Sequence, residues 1–120
     1  MNILIVDDNQ NVAEALVKLL SKMGHTAHSA YSGKAALNSP PEPDFAFLDM
    51  DLGDMSGFEL ALKMKKEGKF ARTKLVALTG SNGPESVNRA SRSGFAGYLV
   101  KPVGVAELNR LFNDEAEKVI

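Results

Sequence analysis

The sequence predicts a doubly wound α/β fold with five parallel strands and five helices. Two observations carry this. Short apolar runs recur along the chain without alternating with polar residues, the look of strands buried on both faces. Between them lie stretches with the period of about 3.6 residues that marks an amphipathic helix. Strand and helix therefore alternate five times, and crossovers of this length between parallel strands are right-handed.

Each element has its own signature. Ile3-Leu4-Ile5-Val6 is the first strand. Val12, Leu16, Leu19, Leu20 and Met23 form the apolar stripe of the first helix, and Gly24 is its C-terminal stop. Thr26-Ala27-His28-Ser29-Ala30 is weaker, and its polar content suits an edge strand. A short helix over 33–38 is closed by Pro40-Pro41, and Pro40-Pro41-Glu42-Pro43 is a loop. Phe45-Ala46-Phe47-Leu48 is the third strand. Phe58, Ala61 and Leu62 mark the buried stripe of a helix ending near Gly68. Leu75-Val76-Ala77-Leu78 is the fourth strand, 84–93 a short helix closed by Gly94, and Tyr98-Leu99-Val100 the fifth strand. Val105, Leu108, Leu111, Phe112 and Val119 line the last helix.

Composition bounds the function. The 120 residues make one domain, 1–120, with 44% hydrophobic and 24% charged residues. There is no cysteine, which excludes disulfides, thiolate catalysis and cysteine-ligated metals. Lys plus Arg number 14 and Asp plus Glu 15, a net charge of -1 that draws neither nucleic acid nor an anionic membrane. No apolar run is long enough to span a bilayer, and Ile3 to Val6 leads straight into Asp7-Asp8 rather than a signal-peptide pattern, so a cytoplasmic protein is expected. The basic stretch from Lys63 to Lys74 reads as the solvated face and end of a helix. His25 and His28 are an odd number of residues apart on a strand, face opposite sides and make a poor metal pair.

In an open parallel sheet, ligands bind outside the carboxyl ends of the strands. The residues just past each strand are therefore decisive. After the first come Asp7-Asp8, and after the third Asp49 with Asp51 and Asp54 close behind. After the fourth come Thr79-Gly80-Ser81, and after the fifth Lys101-Pro102. Carboxylates gathered this closely repel one another unless a positive group sits between them. A hard divalent cation such as Mg²⁺ takes oxygen ligands and pairs carboxylates with phosphate oxygens. Lys101 adds a compact ammonium and Thr79 a hydroxyl donor. The set suits phosphoryl transfer onto an aspartate. Taken singly, each piece has a plainer reading. Asp8 or Asn9 can cap the helix beyond it, and Thr79-Gly80 can be a simple turn.

As an ordered set, these residues resemble a response-regulator receiver domain of two-component phosphorelays. The resemblance covers essentially the whole chain. It rests on Val6-Asp7-Asp8, Leu48-Asp49, Gly57, Leu78-Thr79-Gly80 and Tyr98-Leu99-Val100-Lys101-Pro102. It implies a flavodoxin-like sheet of order 2-1-3-4-5. It further implies that Asp49 accepts a phosphoryl group from a phosphohistidine donor. Asp8, Asp49 and the backbone carbonyl of Asp51 would bind Mg²⁺ (or Mn²⁺), with Asp7 reaching it through water. Lys101 would pair with Asp49 and then with its phosphoryl oxygen. Thr79 and Tyr98 would form the switch, and Gly80, Ser81 and Pro102 would flank the phosphoryl group. The Lys101–Pro102 bond resembles one that is usually cis in the family.

The implied partners are a sensor histidine kinase or histidine phosphotransfer protein, and an output partner or domain meeting residues 84–118. Asn88, Arg89, Arg92, Glu107, Arg110 and Asp114 are candidates on that surface. A monomer or weak phosphorylation-dependent dimer is expected, and an activity limited to the protein's own aspartyl phosphate. Two departures stand out. The family commonly has proline at the position of Gly53, and Asp51 adds a carboxylate beside the site, which is expected to alter the lifetime of the phosphorylated state. Two other readings stay open. Asp49-Met50-Asp51 resembles the DxD motif of Mg-dependent phosphohydrolases with an Asp nucleophile, although there the motif comes after the first strand. The chain could also be a receiver-like interaction module that never takes phosphate.

Overall fold

The computed structural model describes residues 1–40, 42–80 and 94–119, with side chains through residue 113. The chain runs β1 (Asn2–Val6), α1 (Gln10–Lys22), β2 (Thr26–Ala30), α2 (Gly33–Leu37) and β3 (Phe45–Asp49). It continues through α3 (Gly57–Lys65), a 3₁₀ turn (Gly68–Phe70), β4 (Lys74–Thr79), β5 (Gly97–Val100) and a last helix, α4 (Val105–Val119). The five strands form one sheet in the order β2-β1-β3-β4-β5, and every pairing is parallel. The helix expected over 84–93, with Ser81, Asn88, Arg89 and Arg92, lies outside the described residues, as does the side chain of Asp114. Four α-helices are found among the described residues where five were expected.

The absence of alternation in the inner strands has a simple cause. Successive residues of a strand point to opposite faces, and both faces are covered. Leu4, Val6, Ala46, Leu48, Leu75 and Ala77 pack beneath Ala36 of α2 and Leu60, Ala61 and Met64 of α3. Ile3, Ile5, Phe45, Phe47, Val76, Leu78 and Leu99 pack beneath Ala13, Leu16 and Leu20 of α1 and Leu108 and Leu111 of α4. The edge strand β2 alternates instead. Thr26 and His28 are exposed, Ala27 and Ser29 half-buried, and only Ala30 is buried.

One expectation is corrected. Leu62, read as part of the buried stripe of α3, is 59% exposed, and the buried positions are Gly57, Leu60, Ala61 and Met64. Both sets satisfy helical spacing. The choice falls to the entry of α3, where Gly57 lies so close to β3 that a Cβ would stand 2.6 Å from the carbonyl oxygen of Asp49. That approach fixes the rotation of the helix and turns Leu62 outward.

Asn9, Ser32 and Ser56 cap α1, α2 and α3, accepting hydrogen bonds from the amides of Val12, Ala35 and Glu59. Such caps stabilise by about 1 kcal/mol each. Gly24 comes after α1 with φ at 94°, a conformation in which the expected glycine stop is the residue of least strain. Among the described residues, no helix is long and apolar enough to cross a membrane.

Candidate functional site

Parallel strands in register bring their carboxyl ends to one edge, and the charged residues gather there as a result. Val6 pairs with Leu48 and Asp49 with Leu78, so Asp7, Asp8, Asp49 and Thr79 leave the sheet side by side. The amide of Lys101 donates to the Thr79 carbonyl at 2.8 Å, which seats the lysine at the end of β5 next to them. One carboxylate oxygen each of Asp7, Asp8 and Asp49 lies within 4.8 Å of the others.

The three acids are held differently. Asp7 is fully buried, and its Oδ1 accepts from the Asn9 amide at 2.9 Å. Its buried Oδ2 makes no directional hydrogen bond, and the Lys101 Nζ stands 2.8 Å from it as an ionic partner. Asp49 is 7% exposed, and its Oδ1 accepts from the Asp51 amide at 3.3 Å and lies 3.3 Å from Lys101 Nζ. Asp8 is exposed. Since Asn9 is the cap of α1, Asp8 has no capping duty and its carboxylate is left to the cluster.

Burial is the largest influence on Asp49 and raises it above the ordinary carboxylate value. The Asp51 amide and Lys101 pull it down, Asp7 pushes it up, and the net direction is up. For Lys101, burial pulls down most strongly, yet the close pairing with Asp7 and the charges of Asp49 and Asp7 together outweigh it and raise the ammonium. Three carboxylates against one ammonium leave about two negative charges uncompensated when all are ionised. A divalent cation with oxygen ligands fits that deficit. The donor set is all oxygen, compact and open to solvent on the Asp8 side.

Residues 50–56 close the site from the β3 side. An antiparallel bridge joins Asp51 to Ser56, and the Gly57 amide donates to the Met50 carbonyl at 3.0 Å. A Cβ placed at Gly53 would lie 3.9 Å from Asp8 Oδ2, so this bend runs past the cluster. Asp54, the second acid of the stretch, turns away from it. Its two oxygens accept from the amides of Gly33 and Lys34 at the start of α2, both at 3.0 Å. Those bonds, Gly33 first, hold its carboxyl below the usual range. Sequence reasoning missed this role.

The remaining expected residues lie around the cluster. Thr79 ends β4, half-buried. A Cβ at Gly80 would meet nothing within 4 Å among the described residues. Tyr98 pairs with Ala77 in register and is 40% exposed. The Lys101–Pro102 peptide is cis. A groove of about 660 Å³ starts at Lys101, Pro102 and Val103 and runs along α1 past Val12, Ala15, Leu16 and Leu19.

Residues 3–113 match the family model described as response regulator receiver domain. The chain belongs to this family. A receiver of known structure from Methylobacillus flagellatus, described as CheY-like, superposes with a TM-score of 0.85 at 30% identity, covering 95% of this chain and 97% of that one. The two-component response regulator ORR11 of Oryza sativa subsp. indica is 29% identical over 115 residues, 93% of this chain and 78% of its own. The regulatory protein AtoC of Escherichia coli (strain K12) is 31% identical over 109 residues, 89% of this receiver chain and 23% of AtoC. Members of the receiver family are two-component signalling proteins that bind Mg²⁺ at an acidic pocket, and this receiver presents its own cluster of aspartates.

Proposed function

We propose that this receiver accepts a phosphoryl group on Asp49 from a phosphohistidine donor in a Mg²⁺- (or Mn²⁺-) dependent reaction. The observation that carries the reading is the grouping of Asp7, Asp8 and Asp49 within 4.8 Å, with Lys101 at 3.3 Å from Asp49. Asp49 Oδ attacks phosphorus, the new P–O bond forms as the P–N bond to the donor imidazole breaks, and the imidazole nitrogen keeps the electron pair and takes up a proton. Asp7, Asp8, Asp49 and the Asp51 carbonyl are the residues assigned to hold the cation. When bound, it supplies positive charge to the phosphoryl oxygens. Lys101 releases its hold on the Asp49 carboxylate and pairs with a phosphoryl oxygen, while Asp7 keeps the ammonium oriented. Thr79 donates its hydroxyl to another phosphoryl oxygen, and Gly80 leaves room for the group.

The donor is a sensor histidine kinase or histidine phosphotransfer protein. The groove along α1 supports this, since it gives a helical donor an apolar bed that opens beside Lys101, the ionic partner of Asp49. Tyr98, exposed on β5, is the side chain that turns inward when Thr79 moves. The response is read by an output partner or domain on the surface formed by 84–118. Residues 1–120 form one receiver domain, working in the cytoplasm, whose catalysis is limited to its own aspartyl phosphate, and Asp51 changes the lifetime of that phosphate.

Incubation with a small phosphodonor such as acetyl phosphate and Mg²⁺ tests this. One label per chain is expected, absent in Asp49→Asn and absent with EDTA. A label that survives either condition overturns the mechanism. Continuous turnover of a phosphomonoester would instead indicate a phosphohydrolase.

A further inference from the structure

We propose that Asp54 is a positioning residue, holding the 50–56 loop at the cation site by clamping it to α2. The inference rests on the reading of Asp7, Asp8, Asp49 and the Asp51 carbonyl as the Mg²⁺ site.

Asp54 lies one residue beyond Gly53, whose Cβ position is 3.9 Å from Asp8 Oδ2. The loop therefore faces the carboxylate cluster at Gly53 and is anchored on its outer side at Asp54. The anchor has two points, Oδ1 to the Gly33 amide and Oδ2 to the Lys34 amide, both at 3.0 Å. Met55 adds a third contact. Its Sδ would be 2.5 Å from a Cβ at Gly33, so the thioether lies directly against the glycine backbone. Each of the two consecutive N–H donors has its own carboxylate oxygen, whereas an amide side chain would offer one oxygen for both. The negative charge is also favourable at a helix N-terminus.

An ordinary capping role does not account for this contact. α2 already has its own cap, Ser32, whose Oγ accepts from the Ala35 amide at 3.0 Å. Asp54 comes from another part of the chain, 20 residues away from Lys34 in sequence. Its bonds tie a loop to a helix rather than finishing the helix alone. With the outer side released, the bridge between Asp51 and Ser56 still closes the loop. The loop is then held only at Gly57 and the Asp51 amide, and its distance from Asp8 is less closely set. The Asp51 carbonyl shifts relative to Asp8 and Asp49, and cation affinity falls.

The experiment is a Mg²⁺ titration monitored by amide chemical shifts, at a temperature where every variant is folded. It compares wild type, Asp54→Ala, Asp54→Asn and Ser32→Ala. Supporting residues around a metal site typically change affinity by about tenfold or more. About tenfold weaker binding is expected for Asp54→Ala, an intermediate loss for Asp54→Asn, and a change under about twofold for Ser32→Ala, which weakens α2 without touching the loop. Equal affinity in wild type and Asp54→Ala overturns the clamp while leaving the cation site intact. Equal losses in Asp54→Ala and Ser32→Ala also overturn it, reducing Asp54 to helix stability. Failure of wild type to bind Mg²⁺ overturns the site reading itself. Should Asp54→Ala not fold, hydrogen exchange on wild type decides. Coupling is reciprocal, so saturating Mg²⁺ must slow exchange at the Gly33 and Lys34 amides beyond its effect on the Ala35 amide. Equal slowing at all three overturns the clamp.

Discussion

The loops after β1 and β3 begin alike and end differently. In each, an aspartate at the strand end accepts from the amide two residues on, Asp7 from Asn9 and Asp49 from Asp51. After β1 the chain enters α1 at once, with Asn9 as cap, and Asp7 is sealed against Lys101. After β3 the chain makes a bridged bend of seven residues, 50–56, fastened at Asp54 and Gly57, and Asp49 keeps some access to solvent. The same local turn thus yields a fixed charge in one place and a reachable one in the other. What separates them is the length of chain before the next helix.

The difference can be broken most severely at Gly57. Gly57→Ala puts a methyl 2.6 Å from the Asp49 carbonyl, and a loss of about 1–3 kcal/mol is expected in denaturant unfolding, together with impaired labelling. Gly53→Ala, in the same loop, meets its nearest atom at 3.9 Å and has no positive φ to forfeit. It should be neutral or stabilising by up to about 1 kcal/mol.

Neutralising the two aspartates should then give opposite signs without Mg²⁺. Asp7→Asn sets an amide donor against Lys101 in a fully buried position and should cost about 1–3 kcal/mol. Asp49→Asn removes a carboxylate that burial disfavours, and thermal unfolding should show no loss of Tm. Mg²⁺ at a hundredfold excess over Kd should stabilise wild type by about 2.7 kcal/mol and give Asp49→Asn far less.

The caps come next. Asn9→Ala and Ser56→Ala should each cost about 1 kcal/mol. Only Ser56→Ala should also weaken Mg²⁺ binding, because Ser56 belongs to the bridge that closes the β3 loop.

The smallest effects are in pH dependence. Asp49 is raised in the folded state, so the native protein holds its proton longer, and its contribution to stability falls as pH rises above 3.8. Asp54 is lowered, so its contribution is present above 3.8 and is lost as pH falls below it. The stability difference between wild type and Asp49→Asn should therefore shift against wild type with rising pH, and that for Asp54→Asn against wild type with falling pH. Parallel slopes would contradict both assignments.

Much of the fold and site is legible in the sequence. Strands buried on both faces cannot alternate, so runs such as Phe45 to Leu48 announce a parallel sheet, and the sheet places Asp7, Asp49, Thr79 and Lys101 at one edge. The rest depends on contacts between distant segments. The stripe of α3 is misplaced at Leu62 because helical spacing admits two faces and a backbone approach at Gly57 selects one. Lys101, expected on Asp49, sits closer to Asp7, 2.8 against 3.3 Å, since Asp7 is the more buried charge. Asp54 reads as one more acid near the site. Its partners are backbone amides of α2, and amides leave no mark on a sequence.

α2 has five residues and is tied at both ends by other segments. Asp54 holds its first turn, and the Lys69 ammonium, from the 3₁₀ turn, holds the carbonyls of Leu37 and Ser39 at its end. This sets a rule for making chimeras between relatives. A graft of 32–39 alone would arrive without its acid and its base, whereas a graft carrying 50–70 as well would bring both. In this fold the natural unit of exchange is not the helix between two loops but the pair of helices flanking β3.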